Sequence, residues 1–316
     1  MTELASHPNP TLPEPRPGSR LGAWIQNPVT VKELRSRMRG RRAFVILALY
    51  LFFLSAVVTL VYLAFASSGS PTGGGARTAG KGLFAAVIAV QVFLVVFIGP
   101  AFTAGAISGE RERQTFDLLR TTLLSAESFV LGKLFSALSY VYLLVIVSIP
   151  IQSIAFLLGG LSLTELILSQ VLILVAAVTY AMFGLWCSAT MRTTLAATVA
   201  TLAGTLFVTF GLPLVLFTAT IIISSLSVGM AGLNPLGEAF LLYSGLVLAA
   251  TNLPATLVVS EIFFLEQNTL LGFNHFIGSF RLLLFSPWPL FLLFHAVAAV
   301  ALFAATVRRV RQVGDS

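Results

Sequence analysis

Six stretches of this 316-residue chain are apolar with few interruptions, near 43–66, 83–107, 129–158, 166–190, 193–226 and 290–307. Their apolar positions run continuously and do not alternate as those of half-buried strands or barrel strands would. Each reaches the length, roughly 17–25 residues, that a helix needs to cross the hydrocarbon core of a bilayer. The pattern therefore predicts an all-α integral membrane protein with six transmembrane helices. Pro100, Pro150 and Pro213 fall inside these runs. Each removes a backbone hydrogen bond and is expected to bend its helix.

The connecting segments divide into four kinds. Residues 1–20 carry Pro8, Pro10, Pro13, Pro15 and Pro17 and read as a disordered tail ahead of a membrane domain over 21–316. From Trp24 to Arg42, Val31, Leu34 and Met38 recur at helical spacing beside a basic face of Lys32, Arg35, Arg39 and Arg42. That combination predicts an interfacial helix with Trp24 as its anchor. Gly75 to Gly82, "GARTAGKG", follows the phosphate-loop spacing until Gly82, where a Ser or Thr would be needed for magnesium. With no strand before it, the stretch reads as a flexible connector. The segment 227–287 contains an apolar run from Phe240 to Leu265, split by Asn252 and Pro254 into pieces too short to cross alone. It is expected to form an external re-entrant or interfacial pair of short helices, broken around Asn252 to Pro254.

Composition agrees with a membrane location: 57% of residues are hydrophobic and 10% charged, against about 25% charged in an ordinary soluble domain. The net charge of +7 is explained by topology. With the N-terminus cytoplasmic, 16 of the 19 Lys and Arg residues lie on that side and 3 (Arg77, Lys81 and Arg281) lie outside. The positive-inside rule then places both termini in the cytoplasm, and a nucleic-acid partner is not required. Cys187, the single cysteine, stands in an apolar run and reads as a packed thiol. Glu261, Glu266 and His275 are near one another in sequence but read as rim residues rather than metal ligands. Gln91, Gln152 and Gln170 lie within spans, where polar side chains seek one another or line a path.

The densest charge lies between the second and third spans. Glu110, Arg111, Glu112, Arg113, Asp117 and Arg120 fall between Gly109 and Arg120. The acids lead, as a helix N-terminus favours. Phe116, Leu119 and Leu123 form an apolar stripe at spacings of three and four. Such a helix on the cytoplasmic side needs a surface to cover its stripe, and its mixed charge suits a protein partner better than anionic lipid.

Three pieces in order, "NPVTVKELRSRMRGRRAF", "ISGERERQTFDLLRTTLLSAESFVLGKLFSAL" and "AATVRRVRQ", resemble the permease subunits of ABC-2 type ATP-driven transporters. Within that group they are most similar to permeases associated with multicopper-enzyme maturation systems. The resemblance implies that the first piece is the elbow helix in the interface. It implies that residues 109–124 are the coupling helix that docks on an ATPase subunit, a role falling on Gly109, Glu110, Arg111, Glu112, Arg113, Thr115, Asp117, Leu118 and Leu119. Where the family often has Thr-Pro-Leu-Ser, this chain has Thr122, Leu123, Leu124 and Ser125, so no proline marks the end of that helix. The implied assembly is two permease subunits, alike or different, with two ABC ATPase subunits in a cell membrane. ATP and magnesium bind to the ATPases, this chain carries no cofactor or active site of its own, and export is the expected direction. A non-transporting anchor for a cytoplasmic partner and an intramembrane enzyme are the alternative classes.

Overall fold

The computed structural model describes residues 41–67, 75–114, 125–229, 235–267, 271–277 and 280–315. Helix α1 covers Arg41–Ser67, α2 Gly75–Ala104, and the short α3 Ser108–Glu112. Helix α4 covers Ala126–Leu157 and α5 Leu163–Thr190. Helix α6 (Thr194–Leu206) continues through a π-helical turn, Phe207–Gly211, into α7 (Leu212–Gly229). Two 15-residue helices follow, α8 (Pro235–Ala249) and α9 (Leu253–Gln267). The antiparallel strands β1 (Gly272–Ile277) and β2 (Phe280–Phe285) precede α10, Trp288–Asp315. Among the described residues, six helical runs are long and apolar enough to cross a membrane. These are the six expected from the apolar pattern.

Helix α5 forms the centre, packed along α2 on one side and α10 on another, with α4 and α6 completing the bundle. Leu172, Ile173, Ala176, Ala177 and Leu185 of α5 are buried. Lipid tails are as apolar as these side chains, so close approach rather than hydrophobic exclusion holds such helices together. Gly184 shows this: a β carbon there would stand 2.1 Å from Thr103 Oγ1 of α2. Gly160, in the turn between α4 and α5, likewise lies against the first turns of α2, where a β carbon would meet the Lys81 nitrogen at 2.6 Å. Helix α1 is peripheral. Among its described side chains only Leu54 is buried, and Phe44, Phe52 and Leu60 face outward.

The three glutamines meet in the core. Gln91 of α2 accepts hydrogen bonds from Gln152 of α4 (3.0 Å) and Gln170 of α5 (3.2 Å), while Gln170 also donates to Gln152 (3.1 Å). Gln91 in turn donates to Ser148 of α4. Three crossing helices are thus stapled by amides that water does not reach.

The sixth helical run contains a second polar device. At the π turn, the Leu212 amide bonds to Phe207, five residues back, which leaves the Val208 carbonyl without its usual α-helical donor. Pro213 has no N–H, which leaves the Thr209 carbonyl in the same state. Both carbonyls accept from Asn252 Nδ2, at 2.8 Å each. Asn252 is buried at the break between α8 and α9, and its Oδ1 accepts from the Ala255 amide to start α9.

Three expectations need correction. Phe240 to Leu265 is split into two helices as the pattern suggested, but the break falls at Ala250–Asn252 and Pro254 lies inside α9. Proline at an early helical position forfeits a donor that would have no partner there anyway. The stretch Gly75–Gly82 is the opening of α2, not a connector, so this helix starts eight residues before the expected 83. Its small residues are used for packing against the Gly160 turn. Residues 272–277 and 280–285 pair as antiparallel strands that the apolar pattern did not indicate, with Phe273 edge-on to Phe263 of α9 and Tyr243 of α8 donating to the Leu283 carbonyl at 2.8 Å. Of the expected interfacial helix over 24–42, only Arg41 and Arg42 are described, in the first turn of α1. Trp24, Lys32, Arg35 and Arg39 lie outside the described residues, as does the tail over 1–20.

Candidate functional site

The charged stretch opens where α2 ends. Gly105–Ile107 form a turn, and α3 then runs for five residues. Within the stretch 109–124 expected to be helical, α3 ends at Glu112 with Arg113 as its C-cap, and Gln114 takes φ 56°, a left-handed conformation uncommon outside glycine. Thr115, Asp117, Leu118 and Leu119, with the rest of that expected helix to Leu124, lie outside the described residues.

The described part is fastened to the bundle at every turn. Ser188 Oγ of α5 accepts from the amides of Ile107 (2.9 Å) and Ser108 (3.0 Å). It thereby satisfies two donors that a helix N-terminus cannot pair by itself. Arg111 Nη2 donates to the Ala189 carbonyl of α5 at 2.9 Å. Glu112 takes the start of α6: its Oε1 accepts from the Thr194 amide at 2.7 Å and its Oε2 from Thr194 Oγ1 at 2.6 Å. A carboxylate there meets free N–H groups and the positive end of the α6 dipole. Thr193 Oγ1 caps the same turn by accepting from Ala196. Gly109 sits near Thr194 Oγ1, where a β carbon would still be accommodated at 3.8 Å.

Glu110 turns the other way and pairs with Lys133 of α4. The Lys133 ammonium also stands 5.7 Å from the Phe129 ring centroid, a cation–π distance. Arg113 is exposed. Close by, Arg311 near the end of α10 donates to Glu127 at the start of α4, at 2.8 Å. This pair is half-exposed and contributes little to stability, but it fixes the shared end of the bundle for α4 and α10.

Of the residues predicted to act here, Glu110, Arg111 and Glu112 are therefore brought together, and each is held by a partner from elsewhere in the fold. The partners Lys133, Ser188, Ala189 and Thr194 were missed. The only sequence signal for them was the break "ATMRTT" between two apolar runs, with Thr193 and Thr194 in helix-start positions. Among the described residues, Arg111, Arg113, Lys133, Arg192, Arg308, Arg309 and Arg311 lie at one end of the bundle, and Lys81, Glu165 and Glu261 at the other.

Cys187 is buried. Glu261 is paired with Lys81 at 3.3 Å. Among the described residues no group of three or more His, Cys, Asp or Glu side chains is placed to hold a metal. His295 of α10 is buried and stacked on Phe291 with ring centroids 3.8 Å apart.

No curated protein matches the chain. A family model described as ABC-2 family transporter protein matches residues 28–312, a range that takes in all six long apolar helices and the charged turn between α2 and α4, and the chain belongs to that family.

Proposed function

We infer that the chain, a permease component of an ABC transporter, forms the membrane pathway of an exporter. In this reading the segment 109–124 receives the movement of a separate ATPase subunit. The assembly holds two permease subunits and two ATPases, with ATP and magnesium bound by the ATPases. It sits in the plasma membrane with both termini cytoplasmic, which puts the basic end of the bundle against the ATPases. Membership of the family and the 16-to-3 distribution of Lys and Arg support this orientation.

One observation carries the coupling role. Arg111 and Glu112 bind the α5–α6 junction through Ala189 and Thr194. A push on the segment is thereby delivered to the central helix α5 and to α6, instead of being absorbed by a solvated loop. Leu119 and the apolar stripe around it supply the contact with the ATPase.

The test is co-purification of the partner ATPase with the chain and with Leu119→Asp. The substitution leaves the count of Lys and Arg unchanged, so insertion is preserved. A buried docking anchor costs about 2 kcal/mol or more when lost, roughly thirty-fold in affinity. Retention of the ATPase and of its full turnover by Leu119→Asp would show that this stretch is not the docking site.

A further inference from the structure

A cavity of about 500 Å³ opens between α2, α5 and α9, a size typical of small-molecule sites. Its wall is apolar and its polar groups stand at one end. On α2, Ala85 and Ala89 lie one turn apart and both are exposed. Their small side chains hollow out the helix face between the larger Phe84 and Phe93. The slot follows α2 from Phe84 to Phe93, about 13 Å at the helical rise. Phe210 of the π turn and Pro254 at the tip of the α8–α9 pair also line it. Asn252 locks those two elements together, so that part of the cavity is built rather than incidental.

The other end carries Glu165, in the first turn of α5, and Glu261 of α9, both in the lining. Lys81 is bonded to Glu261 at 3.3 Å. Glu165 also holds the Ser162 amide in a capping box at 3.1 Å. Burial pushes the Glu261 carboxyl above the usual carboxylate range, the charge of Glu165 pushes it the same way, and Lys81 draws it back. Two carboxylates and one ammonium leave an unbalanced negative charge at the end of an otherwise apolar slot. An occupant with a positive group there relieves the repulsion between Glu165 and Glu261, and a negative one adds to it.

We propose that this slot binds a membrane amphiphile with an amine headgroup, its positive charge against Glu165 and Glu261 and its apolar tail along Ala85 and Ala89 toward Phe210. This goes beyond the coupling role and needs only the folded chain, whichever way it is oriented in the membrane.

The experiment uses the full chain purified in neutral maltoside micelles and a dodecylamine bearing a photoreactive diazirine at its tail. Adducts are mapped by mass spectrometry. They should concentrate on Phe84–Phe93 and Pro254–Phe264. Unlabelled dodecylamine should suppress them at roughly ten-fold lower concentration than dodecanoate, equivalent to about 1.4 kcal/mol. Glu165→Gln with Glu261→Gln should abolish that preference, and Gln at 165 keeps the capping box. Ala85→Leu with Ala89→Leu should fill the slot from an exposed face and reduce its adducts roughly ten-fold, leaving those on α1 unchanged. Adducts spread evenly over α1, α7 and the slot would reduce the cavity to a groove for bulk lipid or detergent and overturn the proposal. Equal competition by dodecanoate would overturn its charge assignment. If the leucine pair fails to fold, by size-exclusion profile, the glutamine pair and the competition decide alone.

Discussion

Asn252 Nδ2 lies 2.8 Å from the Thr209 carbonyl, the one that Pro213 deprives of its helical donor. The same amide nitrogen holds Val208, the carbonyl freed by the π turn. One side chain at the tip of the α8–α9 pair thus completes the backbone of another helical run. In hydrocarbon this matters more than in water, because no solvent is present to take over the bonds. The tip must therefore stay packed against the middle of that run for its backbone to be satisfied.

Asn252→Ala should lower stability by about 1–3 kcal/mol, the cost of buried polar groups left without partners. Pro213→Ala restores an N–H opposite Thr209. The double variant should then lose less than Asn252→Ala alone. Thermal unfolding in micelles measures both, and strictly additive losses would show that the two residues do not share these carbonyls.

The six crossings could be read from the sequence because a bilayer demands continuous apolarity over about 20 residues, which a water-soluble fold rarely carries. The polar exceptions within them were visible too, but not their pairing: nothing in the spacing of Gln91, Gln152 and Gln170 says that they meet. The strand pair was hidden because "GFNHFI" and "FRLLLF" are too short and apolar to differ from neighbouring helix. Gly75–Gly82 was misread since Gly, Ala and Thr suggest a linker in water, whereas between membrane helices small residues permit contact. At the charged turn, Glu110, Arg111 and Glu112 stood out by composition alone. Their use did not, since Ser188, Ala189 and Thr194 come from about 80 residues further on.

Uncoupling is expected when the hold on α6 is broken. Cys187 is the only cysteine of this chain and precedes Ser188, so its labelling reports on the junction without engineering. Trapping the assembled transporter with ATP and vanadate should change the labelling rate of Cys187. In Glu112→Ala with Thr194→Ala the ATPase should still bind and turn over, but that change should shrink on the order of ten-fold, within the usual range of coupling between sites. An unaltered response would remove Glu112 from the path.

Orientation can be tested with single cysteines in a Cys187→Ala background. Thr164 and Glu238 are exposed near one end of the bundle, and Gln312 is exposed near the other. In intact cells an impermeant maleimide should label Thr164→Cys and Glu238→Cys, and Gln312→Cys only after permeabilisation. The opposite pattern would invert the molecule and place the charged turn outside, away from any ATPase.

The glutamine cluster tests whether buried polarity here joins helices or lines a route. Gln91 is the hub, bonded to Ser148, Gln152 and Gln170. Gln91→Leu should be the most damaging of the single changes, because it takes a partner from two amides and a hydroxyl among packed helices, leaving only the Gln170–Gln152 bond and the Ser148 bond to the Val145 carbonyl. Hydrogen bonds between membrane helices average about 0.6 kcal/mol each, and orphaned partners add to that, so a loss of about 2 kcal/mol is expected. Replacing all three glutamines by leucine removes the orphans together with the bonds. That variant should recover most of the stability lost by Gln91→Leu, since matched apolar replacement of a polar group and its partners is nearly neutral. Its ATPase turnover and its Cys187 response to vanadate trapping should also match those of the unaltered protein if the cluster only staples α2, α4 and α5. A triple variant that folds as well as the parent yet no longer responds would show that the amides serve the moving pathway, and the staple reading would fail.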